Sequence, residues 1–280
     1  MRQSKKNQLS VLTYNQMYAG NGSFFGFLRI HFWHNLGKPQ IMKKHGDIKR
    51  TLKVIKEINP DILGLTEILG SWQEKEFRTA LKKLGYKSFH VGHGHGWPHT
   101  KERVTAMIAT KMPSKQIAVR LKIYASTLPG MGGGGGIVQA YIPKINTHVM
   151  LVHFAVSWGN ALRKRILEEQ IQTVRKFIRQ NKNRKFLVMG DFNMEYDDIQ
   201  KLLKPSNFLR LSGNEPTCNF SGPMRHIYCK SIDHILGNGF EPIDHGTILG
   251  HSDHKGVWAV LGKLQPTQQS RVKNVYSSGT

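Results

Sequence analysis

Acidic residues, cysteine and long apolar runs are what this 280-residue sequence has least of. Its 18 Asp and Glu stand against 41 Lys and Arg, a formal charge of +23 before any of the 14 histidines protonates. Two cysteines, Cys218 and Cys229, are too few to staple a chain of this length, so a disulfide scaffold is excluded and the redox compartment stays open. No stretch approaches the roughly 18 uninterrupted apolar residues of a membrane-crossing helix. The basic N-terminus leads into a short apolar run, 9–12, that is broken by Thr13, Asn15 and Gln16, so a signal-peptide core is missing. A soluble, cytoplasmic monomer is the expectation. The five-glycine run 132–136 has no Gly-Lys-Ser/Thr after it, which excludes a P-loop and leaves flexibility.

With 39% hydrophobic and 9% aromatic residues the chain can bury a sizeable core, so it is no disordered basic tail. The excess of positive charge points to a polyanionic partner, nucleic acid or an anionic membrane surface, because such a field concentrates phosphates. Solubility alone is the plain alternative, since the basic residues are scattered and form no block beyond Lys43-Lys44 and 182–185.

Residues 9–14 alternate in the manner of a strand. In 47–58 the apolar residues Ile48, Leu52, Ile55 and Ile58 recur three or four apart, an amphipathic helix that Asn59-Pro60-Asp61 stops. Residues 62–66 read as a buried strand delivering Glu67 at its end, and 71–84 as a helix closed by Gly85. Strands over 104–110, 116–124, 137–142 and 149–154 follow, then a basic helix over 161–180 with Leu162, Ile166, Ile171, Val174 and Ile178 on its inner face. Strands over 185–189, 231–236 and 255–261 complete the pattern. Helix and strand alternate without a boundary or repeat, which predicts one α/β domain over 9–262, with a flexible N-terminus 1–8 and a disordered tail 263–280.

Polar residues recur at the ends of the apolar strands: Asn15, Glu67, His153, Asp191, Asn193, Asp233, Asp253 and His254. Strand ends are rigid positions from which distant segments converge on one cleft. Any one of these residues could instead be a turn former or helix cap. Together, Glu67, Asp191, Asp253 and the Asn15 amide offer hard oxygen ligands suited to Mg²⁺, with Mn²⁺ as a substitute. His153 and His254 can donate to phosphate oxygens, Asp233 can fix an imidazole tautomer, and Asp191 can take a proton from water. Those parts suffice for metal-assisted hydrolysis of a phosphate ester.

Tyr14-Asn15, Thr66-Glu67, Val152-His153, Gly190-Asp191-Phe192-Asn193, Ser231-Ile232-Asp233-His234-Ile235 and Ser252-Asp253-His254 stand in an order that resembles the endonuclease/exonuclease/phosphatase superfamily, over roughly residues 9–262. The resemblance implies a four-layer α/β sandwich, two packed mixed β-sheets flanked by helices, with a cleft along one edge. It implies Glu67 as principal metal ligand with Asn15 beside it, and Asp253 near or on the metal. By the same resemblance Asp191 activates the attacking water, Asn193 holds water or phosphate, His153 and His254 stabilise the transition state, and Asp233 orients His254. Thr66 departs from the pattern, since the family more often has Gln there.

Substrate signals are sparser. The segment 24–34 interleaves aromatics, Trp33 among them, with Arg29, His31 and His34. It could stack on bases, dip into a lipid interface or simply pack on the sheet edge. A loop over 90–99 carries His90, His93, His95 and His99 among glycines, facing substrate or, less simply, holding a soft metal. Arg163, Lys164 and Arg165 open the long helix, where Arg163 and Arg165 can meet flanking phosphates or stay solvated. The function expected is a Mg²⁺-dependent phosphodiesterase acting on nucleic acid, a DNase or AP-endonuclease-like nuclease. Its alternatives are a phospholipid phosphodiesterase of the neutral sphingomyelinase type and a non-catalytic basic nucleic-acid-binding protein on the same fold.

Overall fold

The computed structural model describes residues 8–16, 48–96, 103–119, 136–156, 161–203, 208–218 and 230–263. Strand β1 (Leu9–Asn15) leads through helix α1 (Ile48–Ile58) to β2 (Ile62–Leu69), helix α2 (Gly70–Lys83), β3 (Ser88–Gly96) and β4 (Arg103–Thr110). Then come β5 (Lys115–Ile117), β6 (Val138–Ile142), β7 (Thr147–His153), helix α3 (Ala161–Gln180), β8 (Lys185–Asp191) and helix α4 (Tyr196–Leu203). The short β9 (Leu209–Arg210) precedes β10 (Asp233–Asn238), β11 (Phe240–Ile248) and β12 (Gly256–Lys263). Two six-stranded mixed sheets result, in the orders β11-β12-β1-β2-β4-β3 and β5-β6-β7-β8-β10-β9.

Period-2 alternation sorts each strand's side chains between two apolar environments. Val11, Ile62 and Ile108 from the first sheet meet Val149, Leu151, Leu187 and Met189 from the second in the central core. Their neighbours Leu12, Leu63, Leu65 and Met107 point the other way, onto Val54 and Ile55 of α1 and Phe77 and Leu81 of α2. On the far side Met150, Val152 and Val188 pack against Ile166, Val174 and Phe177 of α3. The order is therefore helices, sheet, sheet, helices: the α/β sandwich expected, with four helices among the described residues. Strands apolar on both faces read as continuous hydrophobic runs for this reason, and each fully buried Leu, Ile or Val stabilises the fold by about 1.5–3 kcal/mol.

Three expectations need correction. The stretch 90–99 is not a loop throughout, because 88–96 form β3, paired antiparallel with β4 from Ser88↔Thr110 to Gly96↔Arg103. Gly92 sits where a Cβ would meet Ile137 O at 2.8 Å, so its glycine signals close packing rather than a turn. Glu67 is not at a strand end: β2 continues to Leu69, and the ladder with β4 slips between Leu65 and Ile68, which leaves Thr66 and Glu67 in a bulge. The strand expected over 116–124 is seen as Lys115–Ile117, and its remainder from 120 on lies outside the described residues, as do glycines 132–135. Strand β11 and helix α4 were not anticipated. β11 is an edge strand with a run of exposed residues, 242–245, and lacks the apolar alternation that marked the others.

Gly190 has φ +134, and a Cβ there would come within 1.9 Å of Val152 O on the neighbouring strand. Gly85 has φ +88 with nothing within 4 Å of such a Cβ. Gly85→Ala should cost about 1 kcal/mol from backbone conformation alone. Gly190→Ala adds a backbone clash and should cost well over about 2 kcal/mol. Urea titration of both variants checks this, and equal losses would show that β7 and β8 can separate locally.

Candidate active site

The two parallel pairs, β1 with β2 and β7 with β8, run their C-terminal ends to the same edge of the sandwich. Asn15 is opposite Thr66 in the first sheet. His153, Asp191 and Asp233 stand side by side on β7, β8 and β10 in the second. A hydrogen bond from Asn15 Nδ2 to Asp191 Oδ2, 3.0 Å, joins the two sheets.

The segment Gly190-Asp191-Phe192-Asn193 shows how local chemistry builds the centre. Gly190 allows the close approach to β7, Asp191 is directed into the cleft, and Phe192 is buried edge-on against Phe154 at 5.3 Å. Asn193 adopts the left-handed conformation, φ +50, and its backbone N–H donates to Asp191 Oδ1 at 2.8 Å. Its side-chain Nδ2 donates to Phe154 O at 2.8 Å. Asn193 thus bonds Asp191 through its backbone and Phe154, just past the end of β7, through its side chain.

Asp233 Oδ2 accepts from His254 Nδ1 at 2.7 Å. Both are buried. The backbone N–H of Asp233 donates to Thr217 Oγ1. Burial works against charge on His254, but the carboxylates of Asp233 and Asp191 outweigh it and raise its pKa well above the ordinary 6.5. Burial raises Asp233 as well, so the pair retains its shared proton. His254 Nε2 then faces Asp191 Oδ2 at 3.8 Å as a donor on a cation. His153 differs: burial pulls its pKa down, only partly offset by Asp191, which leaves a neutral imidazole with Nε2 3.5 Å from Asp191 Oδ2 and 3.7 Å from Glu67 Oε1.

Ser252-Asp253-His254 closes the site. Ser252 Oγ accepts from His254 N and donates to Asp253 Oδ1, both at 3.1 Å, while its own N–H donates to Tyr14 OH at 3.2 Å. Glu67 keeps 18% of its side chain open. Burial, then the negative charge of Asp253, push its pKa up to about 8, and Asn15 hydrogen-bonds its carboxylate. So many carboxylates in one desolvated place call for a cation. Oxygen donors on Glu67, Asn15 and Asp253 fit a hard divalent ion. Asp191, Asp233 and His254 also offer donor atoms within 4.8 Å of one another, a spacing that could hold a metal. Cys218, beside His254 in a β-bridge, has its thiol pushed up to about 11, chiefly by burial, and stays protonated.

A model of the Endonuclease/Exonuclease/phosphatase family matches residues 32–254. The chain belongs to this family. No curated protein sequence matches it. Among solved structures, the endonuclease/exonuclease/phosphatase from Beutenbergia cavernae is 17% identical with a TM-score of 0.63, over 92% of this chain and 72% of that one. D. rerio TDP2 complexed with single strand DNA product is 15% identical with a TM-score of 0.58, over 91% of this chain and 99% of that one. The human Nocturnin catalytic domain with bound sulfate is 15% identical with a TM-score of 0.60, over 92% and 94%. At these identities the likeness is one of fold. Family members are hydrolases of phosphoesters, and a cluster of residues that could hold a metal, Asp191, Asp233 and His254, is present here.

The structure brings together Asn15, Glu67, His153, Asp191, Asn193, Asp233, Asp253 and His254. Arg163 is buried on α3 while Arg165 is exposed. Trp33 and the whole of 24–34 lie outside the described residues. No helix among the described residues is long and apolar enough to cross a membrane. Buried glutamines were missed. Gln170 donates from Nε2 to His153 O and accepts from Ala155 N at its Oε1, 3.0 and 2.8 Å, which ties α3 to the end of β7. Its place between Ile166 and Val174, four residues from each, was the signal: a polar residue at inner-face spacing.

His234 is fully buried, with Nε2 donating to Met194 O at 3.0 Å, and burial pushes its pKa down from 6.5 to about 4. Neutral in the fold and chargeable once unfolded, it stabilises fully above pH 6.5 and loses that contribution as pH falls from 6.5 towards 4. Between pH 7 and 4 the wild type should lose about 3 kcal/mol more than His234→Gln in urea titrations. Equal losses would mean that His234 is charged in the fold.

Proposed function

We propose that this protein is a Mg²⁺-dependent phosphodiesterase hydrolysing nucleic acid, in the manner of a DNase or AP endonuclease, with residues 9–262 as its catalytic domain. The observation that carries the reading is Asp191, a buried carboxylate held by Asn15 and Asn193 between two imidazoles of different charge.

In this reading Glu67, Asn15 and Asp253 hold the ion, which when bound supplies positive charge at the scissile phosphate. Asp191 accepts a proton from the attacking water: its Oδ1 takes the Asn193 N–H and its Oδ2 the Asn15 amide, and each oxygen keeps a further lone pair for the proton. His254 donates from Nε2 to a non-bridging oxygen, its charge kept by the Asp233 partner at Nδ1. Neutral His153 contributes a second donor without adding charge. Asn193 positions Asp191. Arg165 and Trp33 are proposed contacts to flanking phosphates and bases; Arg163, expected beside them, is buried at the start of α3 and is not placed among these contacts.

The charge of +23 favours a long polyanion over a small phosphate ester. A fold relative, D. rerio TDP2, carries single strand DNA product, which supports the same substrate class. Mg²⁺-dependent cleavage of plasmid or abasic DNA should fall about 10²–10⁴-fold in Asp191→Ala and His254→Ala. EDTA should stop it and Mg²⁺ restore it; cleavage surviving EDTA and both substitutions would refute the mechanism. DNA affinity should drop steeply with salt, by on the order of 10³-fold between 50 and 200 mM if about six phosphates are contacted. A flat salt dependence in filter binding would count against nucleic acid.

A further inference from the structure

Glu67 occupies a backbone conformation that few residues other than glycine adopt. Its φ is +56, inside a bulge where neither it nor Thr66 pairs with β4. Such a conformation costs on the order of 1–3 kcal/mol and persists where the surroundings over-determine it. The Thr66 hydroxyl does not supply the constraint, being buried with no hydrogen-bond partner among the described residues.

Gln16, one residue beyond β1, does. It is fully buried, and its Nε2 donates to Glu67 O at 3.1 Å and to Gln73 Oε1 of α2 at 2.8 Å. A backbone carbonyl can only accept, so the amide's NH₂ end must face Glu67 and its Oε1 must face the other way. There it accepts from Thr51 Oγ1 of α1 at 3.4 Å. Thr51 has one hydroxyl proton, now committed, so at His251 Nε2, also 3.4 Å away, it accepts. The direction of the chain is thereby set from His251, two residues before Asp253, through Thr51 and Gln16 to the Glu67 carbonyl. Gln73 and Thr51 are as fully buried as Gln16.

The geometry points to Gln16 as a positioning residue: its amide holds Glu67 in the bulge and links it to the segment bearing Asp253, so that both carboxylates are presented to one divalent ion. This rests on the proposal that Glu67 and Asp253 hold that ion. Gln16→Met keeps the length of the side chain and removes its bonds to Glu67 O, Gln73 Oε1 and Thr51 Oγ1, while the Thr51–His251 contact and the backbone bond from Gln16 N–H to Thr66 O remain.

Mn²⁺ binding, read from the electron paramagnetic resonance signal of the free ion, tests this without turnover. Gln16→Met should bind Mn²⁺ about tenfold more weakly than wild type. Gln73→Met leaves the Gln16–Glu67 bond but strips its second anchor, and should weaken binding about threefold; it carries the test should Gln16→Met not fold. Tyr86→Phe removes a buried hydrogen bond to Pro60 O, 2.9 Å, at the other end of β2, and should lower the melting temperature with Mn²⁺ affinity unchanged. Wild-type affinity in folded Gln16→Met and Gln73→Met would overturn the role of Gln16 while leaving the ion site standing. A wild type that binds no Mn²⁺ would overturn both.

Discussion

Burial of both faces of the central strands leaves charged side chains little room except at strand ends and at breaks in the ladder such as the bulge at Glu67. Val11 and Leu12, or Leu151 and Val152, point to opposite sides of their strands and meet apolar neighbours on each. A carboxylate in the middle of such a strand would be desolvated with no partner, at a cost of several kcal/mol. At the edge where the parallel pairs end, the same group finds donors from the facing sheet, as Asp191 finds Asn15. The sandwich and the site are two results of one constraint.

The charges at that edge are arranged rather than merely gathered. Asp233, through a 2.7 Å bond, and Asp191 push the pKa of His254 well up, while burial pulls that of His153 down a few ångströms away. Glu67, pushed up to about 8 by burial and Asp253, holds negative charge reluctantly in the absence of a counterion. In the proposed reading, an imidazole with a raised pKa and carboxylates that could hold a metal fit the two kinds of work that phosphate hydrolysis demands, neutralising the substrate and activating water. Rigid positioning of these groups falls to residues with no charge at all: Asn193 on Asp191, Gln170 on His153 O, and Gln16 on Glu67 O.

Much of this was legible before folding. Periodicity located α1, α3 and most apolar strands to within a few residues, because both-face burial writes itself as continuous hydrophobic runs. It failed at β3, whose His-Gly alternation reads as a loop, and at β11, whose edge position removes the apolar signal. The eight polar residues were singled out by their placement beside such runs, and the structure places Asp191 at the end of β8, Asp233 at the start of β10 and His254 just before β12. Glu67 was identified but misplaced, since a bulge is a mismatch between two strands and is visible only once they pair.

What the sequence determined by itself is the alternation of helix and strand in one α/β domain and the polar residues beside the apolar runs, since these follow from patterns local to each segment, while the two-sheet layering came with the family resemblance that the ordered motifs carry. Only the tertiary structure decided which imidazole's pKa is pushed up and which down, which carbonyl each glutamine holds and how Glu67 reaches the cleft. Those depend on distances between residues far apart in the chain, 176 positions in the case of Asn15 and Asp191, and hydrogen bonds and desolvation act over ångströms of space rather than along the sequence.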